Sequence, residues 1–105
     1  MAQRLIWSKS AVRDKRDILS YWIKRNESKN YSRKLNKLFD ETAALVTAHP
    51  GIGNRTDFKD TRLKVVRDYW MVYRVVDETV QILRIWDTRR DPQRFKSLLR
   101  QINPK

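Results

Sequence analysis

Cysteine is absent from this 105-residue chain, and histidine occurs once, as His49. The first absence excludes a disulfide framework and thiol chemistry, and it is compatible with a reducing compartment such as the cytoplasm. The second excludes zinc centres built from histidine and cysteine, so no metal site and no cofactor is expected. His49 stands beside Pro50 at an expected helix end and reads as a structural residue that caps carbonyls or faces solvent. Both glycines sit in Gly51-Ile52-Gly53, too short a segment for a phosphate-binding loop. Long apolar runs are missing as well, so neither a signal peptide nor a membrane span fits.

What the chain does have is positive charge and enough apolar material to fold. Lys and Arg number 24 against 12 Asp and Glu, a formal charge of +12, which gives the surface a field that attracts polyanions and acidic proteins. Hydrophobic residues at 40% and four tryptophans argue for a packed core and against disorder. The length suits one core, so residues 1–105 are read as a single domain. No internal repeat, linker or low-complexity segment interrupts it.

Periodicity predicts the elements. Arg4-Leu5-Ile6-Trp7 reads as a strand, and Ser8 is suited to cap the helix that follows to about Asn26, with Ala11, Ile18, Trp22 and Arg25 at helical spacing. Ser28 or Asn30 can cap a second helix to about Ala48, with Tyr31, Leu35, Leu38, Thr42 and Leu45 on one stripe. The segment from His49 to Gly53 ends it, because proline lacks the amide donor a helix interior needs. After a polar connector, Arg62–Val66, Tyr69–Val76 and Thr79–Trp86 read as strands joined at Arg67-Asp68 and Asp77-Glu78 into an antiparallel meander. From Pro92 onward, Phe95, Leu98, Leu99 and Ile102 predict a short terminal helix. The fold class is therefore α+β: an N-terminal strand and a two-helix hairpin packed on an antiparallel sheet, with a short C-terminal helix.

The chemistry-bearing residues are cationic. Arg62, Lys64, Arg67, Arg74, Arg84, Arg89 and Arg90 all lie on or just beyond the expected strands. Residues two apart on a strand share a face, so Arg62 and Lys64 project together and Arg84 shares its side with Trp86. Arginine forks grip phosphate and aromatic faces stack on bases, so the mixture could hold RNA. In the plainer assignment Arg62 and Lys64 are solvated, Arg74 and Arg84 pair with Asp77 or Asp87, and Trp70 and Trp86 serve packing. A nuclease here would have no histidine on its sheet. Arginine stays protonated and is a poor base, which leaves a lysine of depressed pKa or Asp87 for that role.

Trp7-Ser8-Lys9-Ser10-Ala11, the His49-to-Gly53 break, Arg62-Leu63-Lys64-Val65-Val66, Tyr69-Trp70-Met71-Val72-Tyr73-Arg74-Val75 and Ile85-Trp86-Asp87-Thr88-Arg89-Arg90-Asp91-Pro92 together resemble the RelE/ParE superfamily of bacterial toxins over almost the whole chain. The resemblance implies a growth-inhibiting toxin of a type II toxin–antitoxin system, cytoplasmic, neutralised by a cognate antitoxin that covers its basic face. In the ParE branch the target is DNA gyrase. In the RelE branch the toxin is a ribosome-dependent endoribonuclease acting on messenger RNA. For the nuclease, the resemblance implies Arg62, Lys64 and Arg90, and Arg84 completes the expected catalytic set. Trp70, Asp87 and Phe95 or Lys96 depart from that pattern, standing where relatives carry arginine, histidine and tyrosine. The Arg89-Arg90-Asp91 run is more similar to the ParE branch, so the leading expectation is gyrase inhibition, with Arg67, Arg74, Arg89, Arg90 and Phe95 as target-binding residues. The RelE-like nuclease is the alternative. A non-toxic nucleic-acid-binding module is the second, although no helix-turn-helix or zinc-finger spacing supports it.

Overall fold

The computed structural model describes residues 4–102. Strand β1 (Arg4–Trp7) leads into helices α1 (Lys9–Asn26) and α2 (Asn30–Ala48); a short 3-10 turn (Pro50–Ile52) and strand β2 (Asn54–Arg55) precede β3 (Thr61–Val66), β4 (Tyr69–Val76) and β5 (Thr79–Asp87), and α3 (Pro92–Ile102) closes the order. Among the described residues, no helix is long and apolar enough to cross a membrane.

The strands form one sheet in the order β1-β5-β4-β3-β2. The meander β3-β4-β5 is antiparallel as its sequence predicts, but β1 joins β5 in parallel, Arg4 opposite Thr79 and Trp7 opposite Ile82, so the sheet is mixed. The expected polar connector contributes its own two-residue strand, β2, which pairs antiparallel with β3.

Ser8 fixes the junction between β1 and α1. Its hydroxyl accepts from the Ala11 amide at 3.0 Å, the cap expected at this position, and donates to the Leu83 carbonyl at 2.8 Å. Its own amide bonds the Ile82 carbonyl, so the helix starts locked to β5. Neither expected residue occupies the cap position of α2. Lys29 holds it without a side-chain bond, while the Ser28 hydroxyl accepts from the Asn30 amide. After α2, Tyr73 pins the chain: its hydroxyl donates to the Pro50 carbonyl at 2.6 Å and accepts from the Gly53 amide at 3.0 Å. A β-carbon on Gly53 would lie 2.5 Å from that hydroxyl, so close approach is what requires glycine there.

The two sides of the sheet carry separate cores. The hairpin α1–α2 covers one with Leu35, Phe39, Ala43 and Val46 against Met71, Tyr73, Val80 and Ile82. The other receives α3, whose Phe95, Leu98 and Leu99 pack on Val72 and Trp86. Burial on both sides explains why the two alternating residue sets of β4 are each apolar. A register break opposite Val72 and Tyr73 leaves Leu83 unpaired and turns Arg84 onto the α3 face beside Val72, whereas Ile82 stays opposite Tyr73 on the hairpin face.

Candidate functional site

The end of β5 and the start of α3 form a tight, charged corner. Asp87 lies opposite Tyr69 on the hairpin side, and its carboxylate accepts three bonds from Arg89: the backbone amide at 2.9 Å, Nε at 3.0 Å and a terminal guanidinium nitrogen at 2.9 Å. These bonds, above all the one from the Arg89 side chain, hold the Asp87 carboxyl below its ordinary range despite some burial. Thr88 ties the corner to the β3–β4 turn, since both its amide and its hydroxyl bond the Asp68 carbonyl. Asp91 then accepts from the Gln93 amide at 2.9 Å, ahead of Pro92 in the first turn of α3.

Consecutive arginines leave this corner in opposite directions. The Arg89 guanidinium lies 6.0 Å from the Trp22 ring on the hairpin side, whereas that of Arg90 lies 4.7 Å from Trp86 on the α3 side. On the hairpin side a concavity of about 300 Å³ gathers Asp17, Tyr21, Tyr69, Asp87 and Arg89, and Arg90 also contributes to its lining. Tyr69 accepts the Trp22 indole proton at 2.8 Å, and burial pushes its pKa up, so it holds its own proton at neutral pH and is no base.

The four residues expected of a nuclease are divided by the sheet. Arg62 and Lys64 pair with Tyr73 and Met71 on the hairpin face, while Arg84 stands on the α3 face and Arg90 lies over Trp86 there. Arg62 is engaged in structure, donating to the carbonyls of Gly51 at 3.3 Å and Gly53 at 2.9 Å. The expected partners of Arg84, Asp77 or Asp87, are replaced by Asp14 of α1: Arg84 donates to it twice, at 2.7 and 3.0 Å, and the same carboxylate takes the Ile85 amide at 3.0 Å. Asp14 thus fills the edge of β5 beyond the last β1 pair, Trp7 with Ile82. The plainer assignment also places Arg74 with Asp77 or Asp87, but Arg74 bonds the Ile102 carbonyl at the far end of α3.

The target-binding set is divided too. Arg67, left-handed at φ 56°, is exposed in the β3–β4 turn that Thr88 binds, so its turn adjoins the corner that carries Arg89 and Arg90. Arg74 lies at the opposite end of the strands, opposite Thr61 and Gln81. Phe95 is buried, its ring 4.9 Å from Trp70 and 5.5 Å from Trp86. Both tryptophans therefore pack, as the plainer assignment has it.

Sequence reading missed two features. Asp14 is one, marked only as an acid set between Arg13 and Lys15. The other is an apolar groove of about 480 Å³ along α1, lined by Trp7, Val12, Leu19 and Ile23 and bordered by Lys15 and Arg16. Val12 is 51% exposed there, and Leu5 and Ile6 are exposed on the neighbouring β1. The signal for it lay in apolar residues of α1 outside the stripe that faces the sheet.

Comparison with known proteins identifies the family. No curated protein sequence matches the chain. A solved structure described as the chromosomal ParDE toxin–antitoxin system from P. aeruginosa superposes with a TM-score of 0.70 at 20% identity, covering 81% of this chain and 95% of that one. YafQ from E. coli strain BL21(DE3) aligns over 83% of this chain and 96% of its own at 16% identity, with a TM-score of 0.48. The family described as ParE toxin of type II toxin-antitoxin system, parDE, matches residues 5–92. The chain belongs to the ParE toxin family of type II toxin–antitoxin systems.

Proposed function

We propose that this toxin arrests growth by binding DNA gyrase through the corner formed by Arg67, Arg89, Arg90 and the start of α3, and that it does so without cutting RNA. The observation that carries this reading is the division of Arg62 and Lys64 from Arg84 and Arg90 by the sheet. A phosphoryl-transfer site needs its charge-stabilising and proton-moving groups around one reacting atom. Arg62 is occupied by backbone carbonyls and Arg84 by Asp14, and no histidine stands on any strand.

The antitoxin of such a system has a matching surface in the α1 groove. Its apolar floor and its Lys15 and Arg16 border fit an amphipathic helix that brings apolar anchors one turn apart and acidic flanks. Val12→Glu, at an exposed position, is expected to weaken antitoxin binding by roughly tenfold or more while toxicity persists. Titration calorimetry with the cognate antitoxin measures the first, and growth without antitoxin measures the second.

Pulse labelling after induction of the toxin alone tests the target. Early loss of thymidine incorporation with amino-acid incorporation intact is expected, together with inhibition of supercoiling by purified gyrase. Early loss of protein synthesis with cut transcripts would replace this reading with the RelE-like nuclease. Loss of neither would leave a binding module without toxicity.

A further inference from the structure

The α3 side of the corner differs in charge from the hairpin side. Between β5 and α3 lies a notch of about 270 Å³ into which Arg84, Arg90 and Arg94 turn, with Ser97 and Gln101 along the same helical stripe. None of the residues lining it is acidic. Neither Arg90 nor Arg94 forms an ion pair among the described residues, although the adjoining concavity, which Arg90 also lines, supplies Asp87 to Arg89.

Two of the three guanidiniums are held in place before any ligand arrives. Asp14 takes Nε and one terminal nitrogen of Arg84, leaving the other terminal nitrogen outside that pair. The Trp86 ring supports Arg90 from beneath. Fixing these long side chains lowers the ordering cost that binding would otherwise carry. Arg90 and Arg94 bring like charges together without an ion pair of their own, which is unfavourable in the free protein, and a polyanion relieves that repulsion.

We propose that this notch binds the phosphodiester backbone of a nucleic-acid duplex. Guanidinium forks and the hydroxyl and amide donors of Ser97 and Gln101 suit phosphate oxygens. Trp86 is 5% exposed and covered by Arg90, so no base can stack on it, and the notch reads backbone charge and not sequence. The proposal goes beyond the gyrase reading and does not depend on it: a toxin that fails to stop replication could still bind duplex here.

Fluorescence anisotropy of a short labelled DNA duplex with the whole purified toxin, across a salt series, tests it. The double variant Arg90→Gln, Arg94→Gln is expected to lower affinity by roughly tenfold or more and to flatten the logarithmic salt slope by about 2, because two fewer phosphates are neutralised. The control Arg33→Gln, Lys34→Gln removes the same charge from exposed positions on α2 and should change both far less. Scrambling the duplex sequence should change nothing. Equal weakening by the control would reduce the effect to net charge and overturn the proposal. So would the absence of duplex binding, or displacement of the duplex by an acidic peptide at matched charge as readily as by unlabelled DNA.

Discussion

The two faces of the sheet are built to different standards. Beneath the hairpin, Leu35, Phe39, Ala43, Val46, Met71, Tyr73, Val80 and Ile82 are all fully buried. In the apolar cluster beneath α3 Val72 alone is, while Trp86, Phe95, Leu98 and Leu99 each keep a sliver of solvent exposure, as Val66 and Ile85 do at the margin of the hairpin core. Charge follows the same division. On the hairpin side Lys15 pairs with Asp40 and Arg89 with Asp87, whereas in the α3 notch Arg84 has Asp14 but Arg90 and Arg94 have no ion pair among the described residues. One face stores stability. The other, thinner in its cover, keeps charge available to a partner.

Truncating one aromatic on each face would break or confirm this contrast. Phe39→Ala should cost about 3–5 kcal/mol, because the ring is enclosed between α2 and Tyr69 and its cavity cannot collapse. Phe95→Ala should cost about 2–3 kcal/mol, since α3 can settle toward the sheet or detach with less of the core. Urea unfolding of both variants measures the difference, and equal losses would show that the two faces contribute equally to stability. Asp14→Ala comes next, at about 2–3 kcal/mol, because it leaves the Ile85 amide and the Arg84 guanidinium unpaired at the sheet edge where the faces meet. If its unfolding midpoint matched the parent, the clamp between α1 and β5 would have no energetic weight.

Much of this was legible in the sequence. The hairpin helices, the meander and α3 follow from periodicity, and the resemblance named the fold. Four things were not local enough to read. The partner of β1 is set by packing across the chain, as is the union of Arg84 with Asp14, 70 residues apart. Strand β2, at two polar residues, carries no strand pattern. The face of Arg84 depends on the unpaired Leu83, which shifts it to the side opposite Arg62 and Lys64, and a bulge at a leucine leaves no mark in the sequence. The candidate site was therefore readable as a set of cations and unreadable as a place.

A smaller effect sharpens the comparison by moving both faces together. Asp77 and Glu78 join β4 to β5 with φ of 48° and 63°, left-handed at both central positions. Such a turn suits Asn-Gly, and non-glycine residues there carry backbone strain. Asp77→Asn with Glu78→Gly should therefore stabilise the chain by about 1 kcal/mol. Since the turn belongs to neither core, the gain should add to the Phe39 and Phe95 variants alike in thermal or urea unfolding. A gain that appeared in only one background would mean that the turn is coupled to that face.

The smallest expected effect separates the paired arginine from the unpaired one. Asp87 is held below the ordinary aspartate value of about 3.9, chiefly by the Arg89 side chain. Its ionised form therefore favours the folded chain, and that stabilisation is fully present above the ordinary value and lost as pH falls through the lowered one. Asp87→Asn should remove this part of the acid sensitivity, so the variant's stability should fall less steeply than the parent's below about pH 4. The difference should be modest, because Arg89 is half exposed and water screens the pair, and it should shrink further in high salt. Arg90→Gln, one residue along, removes only a weaker through-space attraction to Asp87 with no ion pair, and should shift the acid limb of the stability curve much less than Asp87→Asn does. If both variants shifted that limb alike, Asp87 would be serving the two arginines jointly, and the electrostatic division between the faces would not hold.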